Sequence, residues 1–118
     1  MDLQLTVESP RPGVTLIRAD GMVNMQSVEL WEKRVQEEAR KLPKALLIEC
    51  SKIASITSWG MGVLFACSGV LDKKDTHLIL IAPQGEVFES MRVIGLLELV
   101  PVAANLEQAL ELVESGKA

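Results

Sequence analysis

The chain has 118 residues, 48% hydrophobic and 24% charged, which suits one ordinary hydrophobic core spanning residues 1–118 and excludes both a disordered chain and a pair of self-sufficient domains. Sixteen acidic against twelve basic residues leave a net charge of −4, and no basic cluster exceeds a pair such as Lys73-Lys74, so nucleic acid and membrane insertion are not expected. Four aromatic rings (Trp31, Trp59, Phe65, Phe88) are too few for a base-stacking surface, and a single histidine, His77, with the widely separated Cys50 and Cys67 predicts neither a metal site nor a bound cofactor.

Leu3, Leu5 and Val7 alternate with polar residues, which predicts a strand with one buried face. Residues 8–13 (ESPRPG) form a turn, and Val14 to Ala19 is a second strand, antiparallel to the first because the link is so short. After Gly21-Met22-Val23 the period changes. Val28, Trp31, Val35, Ala39 and Leu42 recur at spacings of three and four and predict a helix with one apolar stripe, capped by Asn24 or Ser27 and stopped by Pro43. Ala45 to Cys50 is a short apolar run of the kind that forms a central strand buried on both faces. A helix is predicted from Ser58 to Leu71, with Met61, Leu64, Phe65, Ser68 and Leu71 inward. His77 to Ala82 is another buried strand. Pro83 opens a third helix, with Val87, Phe88, Met91 and Ile94 inward and Gly95 as its stop. Leu99 to Val102 reads as a short last strand, and Asn105 with Gln108 forms the capping box of a fourth helix that turns Leu106, Ala109, Leu110 and Val113 inward. Strands alternating with helices after an antiparallel hairpin predict a single α/β domain built on a mixed β-sheet with about four α-helices.

Ile53 to Leu71 contains no charge, but three glycines, three serines and a threonine within it argue against a membrane span. The opening residues MDLQLTVESP lack the basic and apolar regions of a secretory signal, so a cytoplasmic location is expected.

Enzymatic chemistry finds no support. His77 heads a predicted strand with no nucleophile assigned to it, no phosphate-binding loop occurs, and Gly60-Met61-Gly62 is not a dinucleotide fingerprint. A response-regulator-like phosphoacceptor needs clustered carboxylates for magnesium, whereas Glu49 ends its strand without such companions. What stands out is the segment SITSWGMGVLFACSGVL. Its helix is apolar nearly all round, and Val63, Cys67 and Val70, lying off the inward stripe, mean either packing on two sides or a partner-binding face. Ser58 sits where coil turns into this helix, as an N-cap or as a phosphorylation site whose dianion the helix N-terminus would stabilise.

These residues resemble the STAS family, in particular the bacterial anti-sigma factor antagonists. The family's Gly-Glu-Leu-Asp-like turn corresponds to Gly21-Met22-Val23-Asn24, its Leu-Asp-Leu-Ser-like strand to Ile48-Glu49-Cys50-Ser51, and its Asp-Ser-Ser/Thr-Gly-Leu-Gly helix start to Thr57-Ser58-Trp59-Gly60-Met61-Gly62. MRVIGLLELVPVAANLEQAL resembles the family's closing helix, glycine, short strand and last helix. The resemblance implies a non-enzymatic regulator whose Ser58 is phosphorylated by an ATPase-type serine kinase that is also the anti-sigma factor. It further implies a partner surface of Asn24, Thr57, Ser58, Trp59, Gly60, Met61 and Gly62, with the two glycines allowing close backbone approach. Thr57 and Asn24 stand where the family has acids, and bulky Trp59 where it has a small hydroxyl residue. Two other readings fit the same features: a non-phosphorylated STAS scaffold in a stress-sensing or lipid-transport assembly, and a nucleotide or small-ligand sensor. A homodimer is compatible with all three.

Overall fold

The alternating residues at the start build a hairpin of β1 (Gln4–Arg11) and β2 (Val14–Val23), closed at Pro12-Gly13, where Gly13 takes a φ of +80° that favours glycine. The computed structural model describes residues 2–116. After the hairpin come α1 (Val28–Arg40), β3 (Ala45–Ile56), α2 (Ser58–Asp72), β4 (His77–Ile81), α3 (Gly85–Val93), the single turn α4 (Leu96–Leu99), β5 (Val102–Ala103) and α5 (Leu106–Ser115). The strands form one sheet in the order β1-β2-β3-β4-β5, antiparallel at β1–β2 and parallel elsewhere, so the expected mixed-sheet α/β architecture is present.

The uninterrupted apolar run of β3 has a direct cause. Leu46, Ile48 and Cys50 point into a core closed by α1, α2 and α3, while Ala45 and Leu47 point into a second core closed by α5 through Ala109, Leu110 and Val113. Further along the strands α5 no longer covers the second face, and the residues there, Arg18 and Asp20 on β2 with Glu49 and Ser51 on β3, become polar. At the far end of the chain Asn105 Oδ1 accepts from Gln108 N at 2.8 Å, and the Gln108 side chain reaches back to the backbone N–H of Ala104 at 2.6 Å.

Several expectations are corrected. β2 and β3 run on to Val23 and Ile56, well past Ala19 and Cys50, because their parallel ladder continues through two register shifts that break the period-two pattern. Gly21 lies at one of these shifts with φ +127°, and a Cβ there would stand 2.3 Å from the Asp2 carbonyl oxygen. α1 stops at Arg40, so Leu42 leaves the inward stripe and adopts φ +49° on the surface. In the short α3 only Val87 and Met91 reach the core, and Phe88 and Ile94 are exposed. Pro83 lies buried ahead of that helix, which starts at Gly85. Leu99 belongs to the extra turn α4 and not to the last strand, bringing the helices to five among the described residues. In α2, Met61, Leu64 and Leu71 are buried as expected, whereas Phe65 and Ser68 are half-buried.

Candidate partner-binding rim at the start of α2

The parallel strands all end on one rim, and the helices that follow them begin there. At its centre β2 and β3 finish side by side. The Thr57 N–H donates to the Val23 carbonyl at 3.0 Å, extending the strand pairing by one residue. Thr57 keeps extended backbone (φ −77°, ψ 166°), and its Oγ1 accepts from the Gly60 N–H at 3.1 Å. Thr57 is therefore the N-cap of α2, and the capping role considered for Ser58 does not apply, since Ser58 already holds helical backbone. This frees the Ser58 hydroxyl: it is exposed and makes no hydrogen bond among the described residues.

Asn24 is half-buried and committed to the turn before α1. Its Oδ1 accepts from the Gln26 and Ser27 N–H groups at 3.0 and 3.2 Å, and its carbonyl accepts from the Ser27 and Val28 N–H groups at 3.1 and 2.8 Å. Ser27 occupies the cap position without a side-chain cap bond, its hydroxyl donating instead to the Met22 carbonyl at 2.6 Å.

Trp59, at the second position of α2, is 47% exposed, and on the adjoining turn Met25 is 76% exposed. Aromatic and methionine side chains held out at one rim are the types enriched where proteins dock. Met25 was not marked by the sequence, since it lies in the polar turn NMQS, where no periodicity singles it out.

The two glycines differ. Gly60 is buried, and a Cβ on it would lie 2.8 Å from Cγ1 of both Val23 and Ile56. Its carbonyl accepts from the fully buried Trp31 indole Nε1 at 3.0 Å, tying α1 to α2. The close approach expected of an outside partner at Gly60 is thus an approach by the chain's own strands. Met61 is also buried. Gly62 is exposed, with nothing within 4 Å of an added Cβ.

Ser58 and Met61 border an open groove of about 470 Å³ completed by Glu86, Glu89, Ser90, Val93 and Ile94 of the α3 segment. Glu89 is ion-paired with Arg92, whose hydrogen bond holds its carboxyl below the ordinary range. Glu86 has no basic partner among the described residues. The first turn of α2 carries no acid, so its positive end is left to whatever sits at Ser58.

Away from the rim, Val63 and Cys67 pack into the core, so the uncharged character of α2 is in large part packing on two sides; Val70 remains exposed. Burial pushes the Cys67 thiol up to about 11 and the Cys50 thiol further still, leaving both free thiols protonated. His77 begins β4, at the end of the strand opposite the rim. No group of three His, Cys, Asp or Glu among the described residues is placed to hold a metal ion, and no helix is long and apolar enough to cross a membrane.

Comparison with known proteins agrees with this arrangement. The model of the STAS domain family matches residues 8–109. An anti-sigma factor antagonist from Mycobacterium paratuberculosis superposes with a TM-score of 0.83 at 23% identity, over 96% of this chain and 95% of its own. The anti-sigma factor antagonist SpoIIAA in its unphosphorylated form gives 0.74 at 17% identity, over 94% of this chain and 98% of its own. The Bacillus cell fate determinant SpoIIAA in its phosphorylated form gives 0.72 at 17% identity, over 93% and 99%. At these identities the likeness is one of fold. No curated protein sequence matches the chain.

Proposed function

The chain belongs to the STAS domain family, and from that premise we propose that it is a non-enzymatic, partner-switching regulator resembling the anti-sigma factor antagonists, with Ser58 as its phosphorylated residue. In this reading the unphosphorylated form binds an ATPase-type serine kinase that is also an anti-sigma factor, and phosphorylation of Ser58 releases it. The observation that carries the reading is the free hydroxyl of Ser58, exposed in the first turn of α2 because Thr57 has taken over the cap. A phosphoryl group adds about −1.5 to −2 charges. Here it would arrive beside Glu86 and Glu89, and so act on a contact that is already acidic. Moving a complex from nearly all bound to nearly all free takes about 5.5 kcal/mol of differential affinity, a demand best met inside the interface. The solved phosphorylated form of SpoIIAA adds support from a protein of the same fold. Asn24, Thr57, Trp59 and Gly62 would frame the contact, with Met25 beside them, while Gly60 and Met61 would shape it from within. A single domain over residues 1–118, at work in the cytoplasm, goes with an ATP-dependent kinase and with two unpaired thiols.

The test is an incubation of the folded chain with the cognate kinase and ATP, read by intact mass. One added phosphoryl group on the wild type and none on Ser58→Ala is the expected result. No addition to the wild type, or equal addition to Ser58→Ala, would refute it.

Exposed Trp59 favours a second reading, a non-phosphorylated scaffold, since a bulky ring next to Ser58 stands in the path of a kinase and is itself a strong docking anchor. A partner that co-purifies equally with wild type and Ser58→Glu would decide for the scaffold.

A further inference from the structure

α1 and α2 lie side by side over the first core, and alongside their C-terminal halves lies a cavity of about 240 Å³. Its walls are Ala39, Leu42, Val63, Ala66, Cys67 and Val70, joined by Gln36 and by Arg40, its one charged lining residue among those described. No carboxylate lines it, although the chain carries a net charge of −4. The acids nearby are engaged elsewhere: Glu37 with Lys33 and Arg34, Glu38 with Lys41, while Asp72 lines a separate hollow with Thr76 and His77. Arg40 has no acidic partner among the described residues, and neither do Lys73 and Lys74, which follow directly on the end of α2. Leu42 adds a second observation. It stands just past the C-cap of α1 with φ +49°, a conformation that favours glycine, and it holds an aliphatic side chain half out of the protein on the cavity wall. A backbone outlier retained at a cleft is more informative than one on a plain surface.

We propose that this cleft binds an anionic single-chain amphiphile, a medium-chain carboxylate, with the chain along the apolar walls and the carboxylate at Arg40. The charge pattern selects this occupant: a slot lined by no carboxylate and by one unpaired cation, Arg40, complements a molecule with an apolar tail and one negative head. The size agrees, because 240 Å³ holds about eight groups at the ~30 Å³ a water-sized group takes up at liquid density, which suits most of a chain of about eight to ten carbons with its head outside. The site is separate from the rim and does not depend on phosphorylation at Ser58.

The probe is sodium decanoate, titrated below its micelle concentration into the ¹³C-methyl-labelled chain, with acetate and decyltrimethylammonium as head-only and opposite-charge controls. Saturable shifts are expected at the methyls of Leu42, Val63 and Val70, with none at exposed Val93 or Val7 and none with acetate. Arg40→Gln should weaken decanoate by about three- to fivefold, the share of one partly exposed ion pair. Leu42→Gly should weaken it as well while leaving the urea midpoint equal or higher, which separates loss of the wall from loss of the fold. Equal binding of decyltrimethylammonium, unchanged affinity in Arg40→Gln, shifts spread over the whole surface, or absence of saturation would each overturn the proposal. So would cleft shifts that follow protein concentration alone, which would assign the cleft to self-association.

Discussion

Gly60 and Gly62 sit two residues apart on α2 and serve opposite ends. An added Cβ at Gly60 would meet Val23 and Ile56, both parts of strand ends that cannot withdraw, and would displace the carbonyl that takes the Trp31 indole. Gly60→Ala should therefore cost about 2 kcal/mol, the range of overpacked cores, seen as a lower urea midpoint with unchanged slope. Gly62 faces open space, where glycine only adds chain entropy to the unfolded state. Gly62→Ala should stabilise by about 0.5–1 kcal/mol in the same assay. If a partner approaches the helix backbone there, that variant will bind it more weakly despite folding better, a combination that no loss of structure can mimic. The sequence marked both glycines but had no means to separate them, because the Val23 and Ile56 side chains that fill the space above Gly60 arrive from two strands read as ending earlier.

α2 begins where it does because Thr57 finishes β3 in extended backbone while its hydroxyl caps the helix. Thr57→Val, which keeps the shape and removes the acceptor, should cost about 1 kcal/mol in chemical denaturation, whereas Thr57→Asp keeps the cap, adds a negative charge at the positive helix end and should be at least as stable as the wild type. An equal loss in both variants would show that the hydroxyl does not cap. The departure from the family's aspartate at this place is thus neutral for the helix, and its weight falls on the partner contact. At this scale most elements were readable: the hairpin, the two buried strands and the 3–4 spacing of Val28, Trp31, Val35 and Ala39 all follow from period alone. What escaped were features set by neighbours. The outer halves of β2 and β3 lie beyond the predicted strands because register shifts scramble their alternation, and Phe88 and Ile94 fit a stripe that α3 is too short to bury. Met25 escaped for another reason, since a single exposed side chain in a turn leaves no periodic trace.

For the molecule as a whole, the two buried thiols tie stability to alkaline pH. Folded Cys67 titrates at about 11, Cys50 higher still, and both stay neutral because burial penalises the thiolate, while in the unfolded chain a thiol ionises near 9.0. Well below pH 9 both states hold the proton and the thiols contribute no slope. Above it the unfolded state binds fewer protons than the folded one, so stability must fall as pH rises, through about 11 for Cys67 and beyond for Cys50. The comparison that isolates the thiol is between wild type and Cys67→Val, each followed by urea denaturation at pH 8 and pH 10.5. The wild type should lose about 2 kcal/mol more than the variant between the two conditions, the integral of a shift from 9.0 to about 11. Parallel losses would mean that Cys67 reaches solvent through the cleft between α1 and α2 often enough to ionise in the folded state. Decanoate in that cleft should then restore the difference by excluding water from the sulfur, which joins the stability of the fold to the occupancy of the cleft that Arg40 and Cys67 both line.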